Sequence, residues 1–428
     1  MNCVDTSALA DDPDLVGGLA IADQLADAAI WHGDRCVFHG AVAASELGQP
    51  PLYETTGADA YGGTSGIARF LYLAAGVSGD PRHLATAQAA LRHALSTVQG
   101  YSLFSGSAGV GVIAIESSDP EFREAGLALV DIAVQQAKAE KLSAPADLLS
   151  GLAGVIYGLD MVLEHDPSGR WQSDMVALGE TLIAMARQTA TGWSWPVYPG
   201  SDVHLCGLAH GASGVALAMD CLARRDPSDR RWIETARQAR CFERTHYSAE
   251  AGSWADLRRD VQEAANGEEV HPHMWCHGSL GVAAERLTAA NDKLAEADRI
   301  AALHAVQRTI EQVLSGPLGP AAGDELNGSL CHGVSSGIDV LLDAALLTAC
   351  PTSWHDLARQ ATAAMREDAK RPEGWRCGVP GGYLTPSLML GLAGIGWTQL
   401  RCAAPQKIPS GWRIGARLKP AQELVASD

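Results

Sequence analysis

Gly151-Leu152-Ala153-Gly154 opens an apolar run from Val155 to Leu163, and the recurrence of this Gly-x-x-Gly step decides the fold. Further copies stand at Gly63-Thr64-Ser65-Gly66, Gly106-Ser107-Ala108-Gly109, Gly211-Ala212-Ser213-Gly214, Gly278-Ser279-Leu280-Gly281 and Gly391-Leu392-Ala393-Gly394. Gly333-Val334-Ser335-Ser336 is a degenerate copy, sixth of the seven in chain order. Before each copy lies a second helical pattern with charges on one face, over approximately 14–31, 82–97, 120–140, 171–188, 228–246, 292–314 and 353–369. Leu127, Val130, Val134 and Ala137 show the three- and four-residue spacing. Asp80-Pro81, Asp119-Pro120 and Asp226-Pro227 are helix-start signals.

Each unit is an amphipathic helix, a connection, a glycine step and a mostly apolar helix. A helix apolar nearly all round belongs inside, and one with a charged face belongs outside. The expected fold is therefore all-α and a single domain: an α/α toroid, a double ring of seven inner and seven outer helices. An open solenoid is the competing layout. Small residues at the start of each inner helix let seven helix ends converge. The repeat runs from residue 63 to 394, so the toroid is expected over 1–404, followed by a polar, proline-bearing tail over 405–428. The connections at 189–209, 247–275, 315–330 and 370–390 are long and carry Gly, Trp, Pro and His, as functional loops do.

Composition narrows the function. A hydrophobic content of 47% and a charged content of 19% describe an ordinary globular protein. The formal charge of −18 argues against a nucleic-acid binder, which needs clustered Lys and Arg. From the acidic start Met1-Asn2-Cys3-Val4-Asp5 no signal peptide is expected, and no apolar run approaches bilayer length. The expected compartment is the reducing cytoplasm, where the ten cysteines stay free. Gly106-Ser107-Ala108-Gly109-Val110-Gly111 lacks the strand and acidic residue of a dinucleotide loop.

Cys276 and Cys331 hold the same place in two successive units, two residues before a glycine, and His332 follows Cys331. Equivalent positions of neighbouring repeats in a ring face one central space. Two thiolates and an imidazole converging there leave a fourth metal position for substrate, as catalytic zinc requires. Cys206, Cys221, Cys241, Cys350 and Cys402 read as buried small hydrophobes, and Cys377 lies outside the register. His271 and His273 stand upstream of Cys276 as competing ligands, although Pro272 favours an extended loop. His277, beside Cys276, belongs at the cavity. His210 holds the equivalent position in the preceding unit and is suited to carry a proton. Asp147, before the third step, reads equally as a His-orienting carboxylate or as a helix N-cap.

These residues resemble the LanC family, the lanthionine synthetase cyclases and their LanC-like relatives. The resemblance covers nearly the whole chain. Its anchors are Asp59-Ala60-Tyr61-Gly62-Gly63-Thr64-Ser65-Gly66-Ile67-Ala68, Ala209-His210-Gly211, Trp275-Cys276-His277-Gly278 and Leu330-Cys331-His332-Gly333. It implies an α/α toroid with central zinc held by Cys276, Cys331 and His332, and His210 and Asp147 as acid–base residues. His277 stands where some members have Tyr, and Leu280 where many have Pro. The implied reaction adds Cys thiols to dehydroalanine or dehydrobutyrine in a ribosomal peptide, forming lanthionine or methyllanthionine thioethers. Either charged imidazole, His210 or His277, would protonate the enolate. The implied partners are the dehydrated precursor peptide and a separate dehydratase. Competing readings are a relative joining an external thiol such as glutathione, a zinc-stabilised scaffold without activity, and a prenyltransferase-type toroid. Only five Phe and eight Tyr oppose the last, against eleven Trp.

Overall fold

The computed structural model describes residues 11–42, 51–166, 168–289, 293–315, 327–347 and 353–416. Residues 316–326 of the third long connection, Cys3, Cys350 and the chain from 417 lie outside the described residues.

Seven helices begin on the glycine steps: α2 (Thr64–Ser78), α4 (Ser107–Glu116), α6 (Leu152–His165), α8 (Ala212–Arg225), α11 (Ser279–Thr288), α13 (Val334–Leu347) and α15 (Leu392–Ala403). The charged-faced patterns form α1 (Pro13–Asp27), α3 (Pro81–Thr97), α5 (Pro120–Glu140), α7 (Gln172–Met185), α9 (Arg230–Arg244), α12 (Lys293–Ser315) and α14 (Ser353–Asp368). Asp12 and Asp80 cap α1 and α3 through their carboxylates, each followed by Pro at the first turn. At Asp226-Pro227 the expected start is displaced. Asp226 closes a turn on the Ser228 N–H, and Asp229 caps α9 instead.

Among the described residues the connections hold a short helix, α10 (Arg259–Ala264), and four two-stranded antiparallel sheets: β1–β2 (Ile30–His32, Arg35–Val37), β3–β4 (His39–Val42, Leu52–Thr55), β5–β6 (Arg187–Thr189, Gly192–Ser194) and β7–β8 (Tyr247–Ser248, Ser253–Trp254). The helix expected to residue 31 therefore stops at Asp27. Gly33, at φ +62°, turns the chain so that Trp31 pairs with Cys36. Among the described residues no helix is long and apolar enough to cross a membrane.

Contacts gather the described residues into two compact units. One comprises those of Met1–Gln99, Ile113–Gly126 and Thr309–Asp428, and the other those of Gly100–Val112 and Leu127–Arg308. Within each, successive steps are joined by backbone hydrogen bonds at one repeat position, two residues before the first glycine. In the second unit the Phe104 N–H donates to the Leu149 carbonyl (3.2 Å), and the Leu149 N–H to that of Ala209 (3.0 Å). In the first unit the Cys331 N–H donates to the Met389 carbonyl (2.9 Å), and the Met389 N–H to that of Tyr61 (3.0 Å).

In five of the steps the second glycine lets a neighbouring copy close on it. A β-carbon at Gly154 would lie 2.1 Å from the Leu148 carbonyl oxygen and 3.0 Å from Leu103 Cβ. One at Gly214 would lie 2.4 Å from the Leu208 oxygen and 2.9 Å from Leu148 Cβ. In the degenerate copy Ser336 takes this place, its hydroxyl donating to the Gly333 carbonyl at 2.6 Å.

Residues expected to begin a loose tail are packed as far as Ala416. Trp412 and Ile414 are buried, and Arg69 donates to the Gly411 and Arg413 carbonyls. Arg69 also holds Glu116 and stacks 4.1 Å over Trp397. Apolar and backbone partners at 408–414 thus override the polar look of the segment.

Candidate functional site

In the second unit the third, fourth and fifth steps present Asp147, His210 and Cys276-His277. Asp147 lies in the turn before α6, whose N-cap is Gly151. One carboxylate oxygen accepts the Ser150 N–H at 2.6 Å, and the other lies 2.9 Å from His210 Nδ1. Asp147 is therefore not the helix N-cap, a place held by Gly151; its carboxylate closes the preceding turn and faces the His210 imidazole. A proton on Nδ1 shared with the carboxylate leaves Nε2 for chemistry. Burial alone would lower the His210 pKa. The hydrogen bond and charge of Asp147 outweigh it, with Cys276 adding to them, and the pKa is raised.

His277 is buried and stacks on His210, ring centroids 5.7 Å apart and planes 24° from parallel. Burial pushes its pKa down, and the positive charge of Arg258 adds to that. Both imidazoles and Arg258 line a cavity of about 470 Å³ whose apolar wall includes Val197, Tyr198 and Leu205. Cys276 precedes His277 at a tight backbone approach. A β-carbon at Gly207, which has φ +101°, would lie 3.1 Å from the Cys276 carbonyl oxygen. Glu243, on α9, fastens this turn by accepting from the Gly207 N–H (2.9 Å) and from Ser213 N–H (3.0 Å) and hydroxyl (2.7 Å). Arg286 in turn donates to Glu243 at 2.7 Å, so the buried carboxylate is paired.

In the first unit Cys331 is 3% exposed, its backbone pinned to Met389. The half-buried His332 has Nε2 3.0 Å from the Gly378 carbonyl oxygen. Donating there fixes the tautomer and leaves the Nδ1 lone pair for a ligand. Gly378 is needed for this approach, since a β-carbon there would lie 2.7 Å from Ser329 Oγ and 3.0 Å from His332 Nε2. The neighbouring Cys377 is a buried structural thiol, pushed up to about 11 by burial. Burial likewise raises Cys206, Cys221 and Cys402, in keeping with their reading as small hydrophobes.

Cys276, Cys331 and His332 form a group that could hold a metal ion. His271 and His273 fall outside it: His273 Nδ1 bonds the Ser279 hydroxyl at 2.7 Å, and His271 faces Glu269. A second group, Asp23, Asp80 and His83, is already engaged by Arg82, 2.7 Å from Asp23 and 2.9 Å from Asp80. Sequence reasoning missed Gly378, Arg258 and Glu243. None holds a glycine-step position, and Gly378 acts through a carbonyl, which no residue type signals.

Residues 54–412 match the family model described as lanthionine synthetase C-like protein. No curated protein sequence matches. Among solved structures fifteen chains match, one of them described as nisin cyclase. That match has a TM-score of 0.63 at 15% identity, over 95% of this chain and 96% of that one. At such identity the likeness carries the fold alone, and that fold is the mostly helical α/α toroid.

Proposed function

The chain belongs to the lanthionine synthetase C-like family, enzymes of the lanthionine-cyclase type, and on that premise we propose that it closes thioether rings in a dehydrated peptide. The substrate carries dehydroalanine or dehydrobutyrine and a free Cys, so a dehydration reaction must precede this one. The donor set suits zinc: two thiolates and one imidazole, with His332 already oriented through Nε2. Bound zinc would lower the pKa of the substrate thiol, which titrates at roughly pH 8.5 when free.

The chain's own residues manage the proton. Addition of sulfur to the β-carbon moves the alkene pair toward the neighbouring carbonyl, and the α-carbon then needs a proton. His210 holds one, with Asp147 orienting the ring and favouring its charged form. His277 packs on it and lines the same cavity. The thiol proton is lost, one C–S bond forms and one C–H bond forms, so mass is unchanged. The cavity walls keep both peptide segments together, which reduces the entropic cost of ring closure.

The observation that carries this reading is the Asp147–His210 pair opening on the cavity beside Cys276-His277. The test is incubation with a dehydrated Cys-containing peptide, followed by thiol alkylation and mass spectrometry. Loss of alkylatable thiols at unchanged mass supports cyclisation. An adduct of glutathione mass would indicate an external thiol, and unchanged thiols with a zinc-loaded protein would indicate a scaffold.

A further inference from the structure

We propose that Arg258 is a catalytic residue that donates hydrogen bonds to the enolate oxygen formed when sulfur adds to the dehydro residue. The inference rests on the cyclase reading above. As the S–Cβ bond forms, the alkene pair moves into Cα–C and the carbonyl pair moves onto oxygen. His210 returns a proton to Cα, and the carbonyl is restored. Charge therefore develops at one atom and is discharged at another, and the two tasks suit different groups. The carbon needs an acid that gives up its proton. The oxygen needs a donor that keeps its own.

Arg258 has the second property, because a guanidinium is never deprotonated in this pH range. It lines the cavity that holds His210 and His277. Its position is set by Asp256, a carboxylate only 4% exposed. Asp256 accepts from Arg258 Nε at 3.0 Å and from Nη2 at 2.6 Å, while its own N–H is held by the Val270 carbonyl. Among the described residues Nη1 donates to no group, so a fixed fork keeps a charged donor free. The adjacent Arg259 is instead engaged by Asp202. Asp256 is a positioning residue in this arrangement.

Arg258→Ala should lower kcat by about 10²–10³-fold, the usual loss on removing one oxyanion donor, with KM and bound zinc within about twofold of wild type. Arg258→Lys should recover part of the rate, and guanidinium ion added to the alanine variant should restore more. If unpaired Asp256 unfolds that variant, Arg258→Ala with Asp256→Asn removes the orphaned charge and is assayed the same way. Wild-type kcat in the variant overturns the proposal. So does a loss confined to KM, or a kcat loss that guanidinium does not relieve in a folded, zinc-loaded protein. Wild type is run alongside. If it too leaves thiols unconsumed, the cyclase reading falls and this inference with it. If wild type cyclises and the variant matches it, this inference alone falls.

Discussion

Replacing Asp147 by Asn should move the alkaline limit of cyclisation to lower pH. Asp147 and His210 are 2.9 Å apart, with side chains 9% and 31% exposed. An opposite charge this close favours the charged imidazole, and the partial exposure of His210 screens only part of that attraction. The sign follows from the raised pKa. Charged His210, the proton donor, is fully present below that value and is lost as pH rises through it. The amide of the variant keeps the shape of the carboxylate and removes its charge, so the donor disappears at lower pH. Rates should converge on the acid side and differ by up to about tenfold on the alkaline side, the rate equivalent of the roughly 1.5 kcal/mol that a hydrogen bond to a charged group contributes. The ion pair's contribution to stability follows the same direction, present below the unfolded His pKa and lost through the raised one. The assay is kcat against pH, read from alkylated thiols by mass spectrometry, with thermal melting across the same range. Superimposed alkaline limbs for wild type and Asp147→Asn would refute the role given to the carboxylate.

His210→Ala should retain zinc, measured by elemental analysis, while slowing product formation by about 10²–10⁴-fold. Wild-type turnover would exclude an essential proton role. Gly154→Ala forces a methyl against the Leu148 carbonyl and Leu103, and should cost about 1–3 kcal/mol in chemical denaturation. Gly76→Ala, inside α2 with nothing within 4 Å, should instead add about 0.5–1 kcal/mol. Gly378→Ala should displace the carbonyl that orients His332 and weaken zinc binding by about 10–100-fold in competition with a chelator.

The helices were legible because one glycine step repeats and five of its copies seat a leucine of a neighbouring copy, a constraint that leaves a residue-level trace. The same register brings out Cys276, Cys331, His332 and His210, since residues just before a glycine step recur at equivalent places. Asp147 was harder, because turn closure and imidazole orientation use the same carboxylate, and only coordinates show both. Local turns broke the helical pattern where periodicity gave no warning. Gly33 bends Ile30–His32 into a hairpin, and Asp226-Pro227 forms a turn before the helix. Arg258, Glu243 and Gly378 were illegible for another reason. They act from connections or from a charged-faced helix, where Arg and Glu are ordinary surface residues and a carbonyl has no letter of its own.

Zinc content of purified wild type, Cys276→Ala and Cys331→Ala, measured by elemental analysis beside ring closure, tests the account most directly. It predicts about one zinc per wild-type chain, and loss of most metal and most cyclisation in either variant. Full zinc retention in either variant would contradict the ligand set, and metal-stripped wild type that still closes rings at full rate would contradict the mechanism.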